Sequence, residues 1–278
     1  MTSHEPPSPG SRVVTSLQNE TVKFVRSLEL RKARRESGLF VAEGTSLLVT
    51  ARDNGWRPRI LIHGPGSGDR QLARQLIKWA EASSADCLDV PAKVLEKIAV
   101  KDNPQSLIGV FEQRFQEAPD PVAQASKGPW IALEAIRDPG NLGTIMRTAD
   151  AAGAAGIILV GTTCDPYQHE AVRASMGSIF SVPLVRLEQT AFLDLAKRWP
   201  GAVVGTHLAG TVDFRKAAYD TPALLVMGTE GEGLSTEATA ACKTLVRIPM
   251  VGRLDSLNLA IATALMLYEI QRPLLRFP

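Results

Sequence analysis

Beyond residue 128 the chain alternates short, almost wholly apolar runs with helical patterns, and this alternation restricts the fold more than any other feature. The apolar runs fall at 131–136, 157–160, 182–185, 202–206, 223–227 and 245–249, and helical patterns fit at 144–152, 169–176, 191–199, 236–242 and 257–271. A strand that is apolar on both faces must be covered on both. Helices that alternate with such strands supply the cover and return the chain for the next parallel strand. The pattern predicts an α/β fold with a mainly parallel sheet.

Before residue 113 the alternation is weaker. A helical run is expected over 17–35, with Val22, Val25 and Leu28 on one face, then strands at 39–42, 59–62, 87–90 and 107–111. Helices fit between them at 45–53, 70–82 and 91–98, which makes a small α/β unit. Pro119, Pro121, Gly128 and Pro129 bracket a polar stretch that reads as a linker. The expected organisation is a structureless lead-in over 1–12, rich in Pro, Ser and Gly, a first domain over 13–112, a linker over 113–128 and a second domain over 129–278.

Composition excludes more than it selects. The formal net charge is only +2, so any case for a nucleic-acid partner must rest on local charge. Cys87, Cys164 and Cys242 form neither a CxxC pair nor a disulfide framework, which fits a reducing compartment. His4, His63, His169 and His207 show no metal-ligand spacing, and no metal is expected. The N-terminus lacks the apolar core of a secretory signal. The longest apolar stretch, 257–268, carries Asn258 and Thr263 and is too short to span a bilayer. A cytoplasmic protein with no membrane partner is expected.

In open α/β sheets, ligands bind beyond the carboxyl ends of the strands, and three loops there are unusual. Asp138-Pro139-Gly140-Asn141-Leu142-Gly143-Thr144 leads into a helix whose free N–H groups and dipole suit an anion, with Arg147 one turn on. The plain alternative is a tight turn with an Asn or Thr cap. Gly228-Thr229-Glu230-Gly231-Glu232-Gly233-Leu234-Ser235 follows an apolar strand, and its glycines allow close backbone approach to a ligand. Read plainly, it is a flexible turn with Ser235 as a helix cap. The third loop, 248–258, offers backbone groups beside an apolar wall. Ser256 and Asn258 there suit a cap or loop carbonyls equally well. The sequence has neither GxGxxG nor GxxxxGK[ST], which argues against a dehydrogenase or kinase.

Taken together and in this order, IRDPGNLGTIMRTADAAG, MGTEGEGLS and RIPMVGRLDSLNLA resemble the three motifs of the SpoU family of RNA 2′-O-methyltransferases, within the SPOUT superfamily. VRASMGSIFSVPL is similar to the family's stretch between the first two motifs. The resemblance covers 130–272. It implies a C-terminal trefoil knot, a homodimer, and S-adenosyl-L-methionine as methyl donor. It further implies catalytic-region roles for Asn141, Arg147, Glu230, Ser256 and Asn258. A cofactor cleft is implied at Thr206, Leu208, Met227, Gly228, Glu230, Gly233, Ile248, Met250, Ser256 and Leu257. Arg173 matches a basic position associated with the partner's site. One departure is Leu259-Ala260, where the family often has Val-Ser. A non-catalytic ribosome-binding relative is the rival reading, opposed by the retained Asn141, Arg147, Glu230 and Asn258.

In the first domain, Lys23, Arg26, Arg31, Lys32, Arg34 and Arg35 crowd the first helical run. Glu20, Glu29 and Glu36 dilute them, so a solvated charged face competes with a phosphate-contacting patch. TSLQNETVKFVRSLELRKARRESGLFVAEG resembles the opening of the L30e-like substrate-binding domain of two-domain SpoU enzymes, including the thiostrepton-resistance methyltransferases. This implies structured RNA as partner, ribosomal RNA more than transfer RNA. Because a guanidinium stays protonated, Arg147 is expected to bind phosphate and steady a developing alkoxide. Asn141 would orient it, and Ser256 with Asn258 would hold the hydroxyl.

Overall fold

The structure, a computed structural model, describes residues 10–99, 106–123 and 128–276. Most of the expected lead-in (1–9, with His4) and residues 124–127 of the expected linker lie outside the described residues. The chain divides into two compact units, Met1–Gln113 with Tyr167–Ser181, and Arg114–Pro166 with Val182–Pro278.

In the first unit, elements numbered along the chain are β1 (Arg12–Val13), α1 (Glu20–Ser27), α2 (Arg31–Ser37), β2 (Leu39–Glu43), α3 (Thr45–Asp53), β3 (Ile60–His63), α4 (Gln71–Ala82), β4 (Asp86–Asp89), α5 (Ala92–Ile98) and β5 (Leu107–Glu112). The sheet order is β1-β4-β3-β5-β2, with β5 antiparallel to both neighbours and the other pairs parallel. Arg12 therefore lies in a strand rather than in a structureless lead-in, held by Asp86 at 2.6 Å.

The single helix expected over 17–35 is two. Asn19 caps α1 by accepting from the Thr21 and Val22 amides, and the helix ends at Ser27. Its last carbonyls accept from the Leu28, Glu29 and Leu30 amides, and Arg34 reaches back from α2 to donate to the carbonyls of the connecting Leu28 and Glu29 at 2.8 and 2.7 Å. Gly38, at φ 68, then turns the chain out of α2. Val22, Val25 and Leu28 pack into a core with Ile62, Leu88 and Ile108.

Tyr167–Ser181, placed in the second domain by the strand–helix alternation, packs into the first unit instead. Its helix α7 (His169–Ala174) lies against β2. Tyr167 sits 4.6 Å from the Phe40 ring, and the Trp56 indole donates to the Phe180 carbonyl at 2.9 Å. Buried aromatic area of this kind is among the largest single contributions a side chain makes to packing.

The second unit holds β6 (Trp130–Glu134), α6 (Pro139–Ala151), β7 (Gly156–Val160), β8 (Leu184–Leu187), α8 (Gln189–Lys197), β9 (Val203–Thr206), β10 (Val212–Asp213), β11 (Leu224–Met227), α9 (Thr236–Ala241), β12 (Thr244–Arg247) and α10 (Leu259–Gln271). Its seven strands are ordered β10-β12-β9-β11-β6-β7-β8, and every pair is parallel. Strands β6, β7 and β11 are buried along their whole length, as strands covered on both faces must be. Because β12, β9, β11 and β6 are parallel neighbours, the four loops that follow them emerge from one edge of the sheet. That edge carries the unusual loops.

Candidate active site

The loop after β6 becomes helix sooner than its glycines suggest. Asp138 is the N-cap of α6 and accepts from the Asn141 amide at 2.6 Å, with Pro139 in the first turn. Proline suits this position because its missing N–H would be unpaired there anyway. Asn141 thus stands on the first turn of a helix rather than in a flexible turn.

Glu230, from the loop after β11, meets this helix start. Its carboxylate accepts from the backbone amides of Arg137 and Asp138 at 3.4 and 3.2 Å and from the Asn141 side-chain amide at 3.4 Å. A negative charge is favoured at the positive end of a helix. On its other side, Asn141 accepts through Oδ1 from Asn258 Nδ2 at 2.9 Å. Asn258 is itself the N-cap of α10, accepting from the Ala260 and Ile261 amides. One hydrogen-bonded line, Asn258 to Asn141 to Glu230, therefore ties together residues from all three loops.

Two cavities meet at the Glu230 end of this line. A cavity of about 520 Å³ is bordered by Arg137, Asp138, Asn141, Glu232 and Asn258. A second, also about 520 Å³, runs beneath the loop after β11, and Thr229, Glu230, Leu257 and Leu259 line both. All ten residues expected in the cofactor cleft line this second cavity: Thr206, Leu208, Met227, Gly228, Glu230, Gly233, Ile248, Met250, Ser256 and Leu257. The loop is closed by a bond from the Thr229 amide to the Gly233 carbonyl at 2.9 Å. A Cβ on Gly228 would lie 2.0 Å from the Gly233 carbonyl carbon, so no side chain fits there.

Arg147 is exposed on α6 and lines neither cavity. Arg173 is exposed on α7 of the first unit, and Lys23, Arg26, Arg31, Lys32 and Arg35 are exposed on α1 and α2. Arg34 departs from the expected RNA-facing set. It is 3% exposed, and its guanidinium is turned inward onto the Leu28 and Glu29 carbonyls between α1 and α2.

Sequence reading missed Glu134. It closes the otherwise apolar β6, is 5% exposed, and accepts from Ser235 Oγ at 2.6 Å, the Ser235 amide at 2.9 Å and Gln189 Nε2 at 2.6 Å. Ser235 in turn caps α9. The carboxylate so pins the far end of the Gly228–Ser235 loop, and an acid closing a buried strand was the available signal. Glu134→Ala is expected to lower unfolding free energy by about 2–3 kcal/mol, since it strips a buried charged acceptor from three donors on the half-buried Ser235 and Gln189. The midpoint of a urea unfolding curve measures this.

Cys164 lies near the same carboxylates. Burial first, and then Glu230, Asp138 and Asp165, push its thiol up to about 12. It stays protonated at neutral pH and offers no thiolate nucleophile. Among the described residues, no group of three or more His, Cys, Asp or Glu side chains is arranged to hold a metal ion.

Residues 129–268 match the SpoU rRNA Methylase family. The chain belongs to this family. Residues 19–109 match the MRM3-like substrate binding domain. Over 95% of its length the chain is 32% identical to a 23S rRNA uridine 2′-O-methyltransferase of Streptomyces viridochromogenes, covering 93% of that protein. The AdoMet-bound rRNA methyltransferase of Sinorhizobium meliloti superposes with a TM-score of 0.88 at 44% identity, over 96% of this chain and all of that one. The SpoU methyltransferase AviRb of S. viridochromogenes, in complex with AdoMet, gives 0.78 at 29% identity, over 92% and 98%. Between them, the two cavities are lined by residues from all three motif segments.

Proposed function

We propose that this chain transfers a methyl group from S-adenosyl-L-methionine to a ribose 2′-hydroxyl of structured RNA, ribosomal RNA in preference to transfer RNA. The observation that carries the reading is the Asn258–Asn141–Glu230 line on the wall of the first cavity, whose Glu230 end also lines the second. It supplies amide donors and acceptors where a hydroxyl would meet a methyl donor. The relatives' rRNA substrates and AdoMet complexes support the choice of substrate and donor.

The cleft under the Gly228–Ser235 loop fits the donor. Leu208, Met227, Ile248 and Met250 give it apolar walls, and the glycines let backbone groups approach closely. S-adenosyl-L-methionine, when bound, supplies an electrophilic methyl group on sulfur. Asn141 and Asn258 hold the acceptor hydroxyl, and such alignment supplies roughly 7–11 kcal/mol in favourable cases. Glu230, engaged with the start of α6, keeps Asn141 in place. Arg147, always charged and exposed on the helix that carries Asn141, holds an RNA phosphate. Ser256, in the cleft lining, adds a hydroxyl beside the acceptor.

Incubating the protein with methyl-labelled S-adenosyl-L-methionine and total rRNA is expected to place label on a ribose oxygen, read by nuclease digestion and mass spectrometry. Label on a base, or binding of ATP or NADH with S-adenosyl-L-methionine silent, sinks the reading.

The threaded C-terminal knot implied by the motifs is part of this proposal, as is a cytoplasmic location. No helix among the described residues is long and apolar enough to cross a membrane. Homodimerisation is proposed through α10, which exposes Ile261, Leu265 and Tyr268 at 51%, 41% and 50%. Spaced i, i+4 and i+7, they form one apolar stripe. Ile261→Glu with Leu265→Glu is expected to convert a dimer to a monomer in analytical ultracentrifugation. A wild-type protein that sediments as a monomer at every concentration overturns the dimer.

A further inference from the structure

Arg26 stands on the basic face of α1, but it also belongs to the rim of a cavity of about 310 Å³ within the first unit. The floor is apolar. Val25, Leu28 and Ile98 are core residues, at 2%, 2% and 6% exposure, and Val41 from β2 adjoins them. Tyr167 backs another side, only 1% exposed and with its ring 4.6 Å from that of Phe40. At the mouth, the exposed Arg26 and Lys97 carry positive charge and Glu29 a single negative one. His169 completes the lining with its Nε2 3.6 Å from Glu43, whose side chain is only 2% exposed.

Core packing accounts for each floor residue, but not for the open recess that they leave between the charged side chains of Arg26, Glu29 and Lys97. The recess lies at the small end of the range that holds small molecules. Proteins that read RNA by sequence take unstacked bases onto apolar surfaces and hold the flanking phosphate with cations. The cavity combines both surfaces at the scale of one nucleotide. Glu29 disfavours a second phosphate at the rim, which favours a link in a chain over a free polyphosphate.

We propose that this cavity takes one unstacked nucleotide of the RNA, its base against the half-buried Val41 and the edge of Ile98 and its phosphate between Arg26 and Lys97. The inference rests on the RNA-methyltransferase reading and adds a contact outside the methyl-transfer site. Lys97 joins the RNA-binding surface through it.

The test uses the full-length chain with labelled Ile, Leu and Val methyl groups. Uridine and guanosine 5′-monophosphates are expected to shift the Val25, Leu28, Val41 and Ile98 resonances. A short single-stranded oligoribonucleotide should shift the same methyls at lower concentration. Arg26→Glu with Lys97→Glu, both on exposed side chains, should weaken oligonucleotide binding about tenfold or more. Val41→Trp should abolish the shifts by filling the slot, with near-native circular dichroism showing that it folds. The proposal is overturned if the methyls stay still, if inorganic phosphate alone reproduces the shifts, or if the mononucleotide binds more tightly than the oligonucleotide. It is also overturned if the charge-reversed pair binds like wild type. Methyl transfer to rRNA is scored separately on the wild type. Still methyls with normal transfer sink the slot alone, whereas shifted methyls with no transfer sink the enzymatic reading alone.

Discussion

Replacing Asn141 with alanine is expected to lower kcat/KM for methyl transfer to rRNA by about 10²–10³-fold, the range seen when one preorganised donor is removed from a reacting centre. Asn141 is the middle of the line between Asn258 and Glu230, so its truncation cuts Asn258 off and leaves Glu230 held only by the Arg137 and Asp138 amides. The fold should survive, because the side chain is half-exposed on the first turn of α6 and the Asp138 cap is made to its backbone amide. Affinity for S-adenosyl-L-methionine by calorimetry should change little, because Asn141 borders the acceptor cavity and not the cofactor cleft. Asn141→Asp should also be poor. It keeps an acceptor for Asn258 but turns a carboxylate toward Glu230, and two facing carboxylates raise the pKa of one of them. The aspartate variant should therefore recover partly as pH falls toward the carboxylate range, whereas the alanine variant should not. An alanine variant with near-native turnover defeats the assignment.

Arg147→Ala is expected to cost about 10²-fold in kcat/KM, mostly through RNA binding, and Arg147→Lys to recover only part of that. Arg147 is exposed on the helix that carries Asn141, and no ion pair engages it among the described residues. A guanidinium holds a phosphate with a two-pronged fork that an ammonium cannot copy. Loss of one phosphate contact should also reduce the slope of log affinity against log salt by about one. A lysine variant with wild-type activity and salt slope refutes the fork.

Much of the fold was legible because its signal is local. The buried strands of the second unit announce themselves by being apolar on both faces, and the parallel sheet follows from the helices between them. Boundaries were less legible where two local signals competed. Gly140 and Gly143 suggested a turn, but the Asp138 cap and Pro139 start α6 at once, with Gly143 buried inside it. The break between α1 and α2 depends on Arg34 folding back onto carbonyls six and five residues away. Its charge had suggested a surface role.

By itself, the sequence determined the family, the residue types at each strand-end loop and the parallel order of chemistry along one sheet edge, because motifs and apolar periodicity are properties of neighbouring residues. Tertiary structure alone decided which of those residues touch. Glu230 and Asn258 lie 89 and 117 residues from Asn141, and only β11 settling beside β6, with β9 and β12 beyond, brings them within hydrogen-bond reach. The same holds for Tyr167–Ser181, whose aromatic partners Phe40 and Trp56 lie more than a hundred residues earlier. Contacts across such separations depend on long-range packing free energy, which no local window of sequence contains.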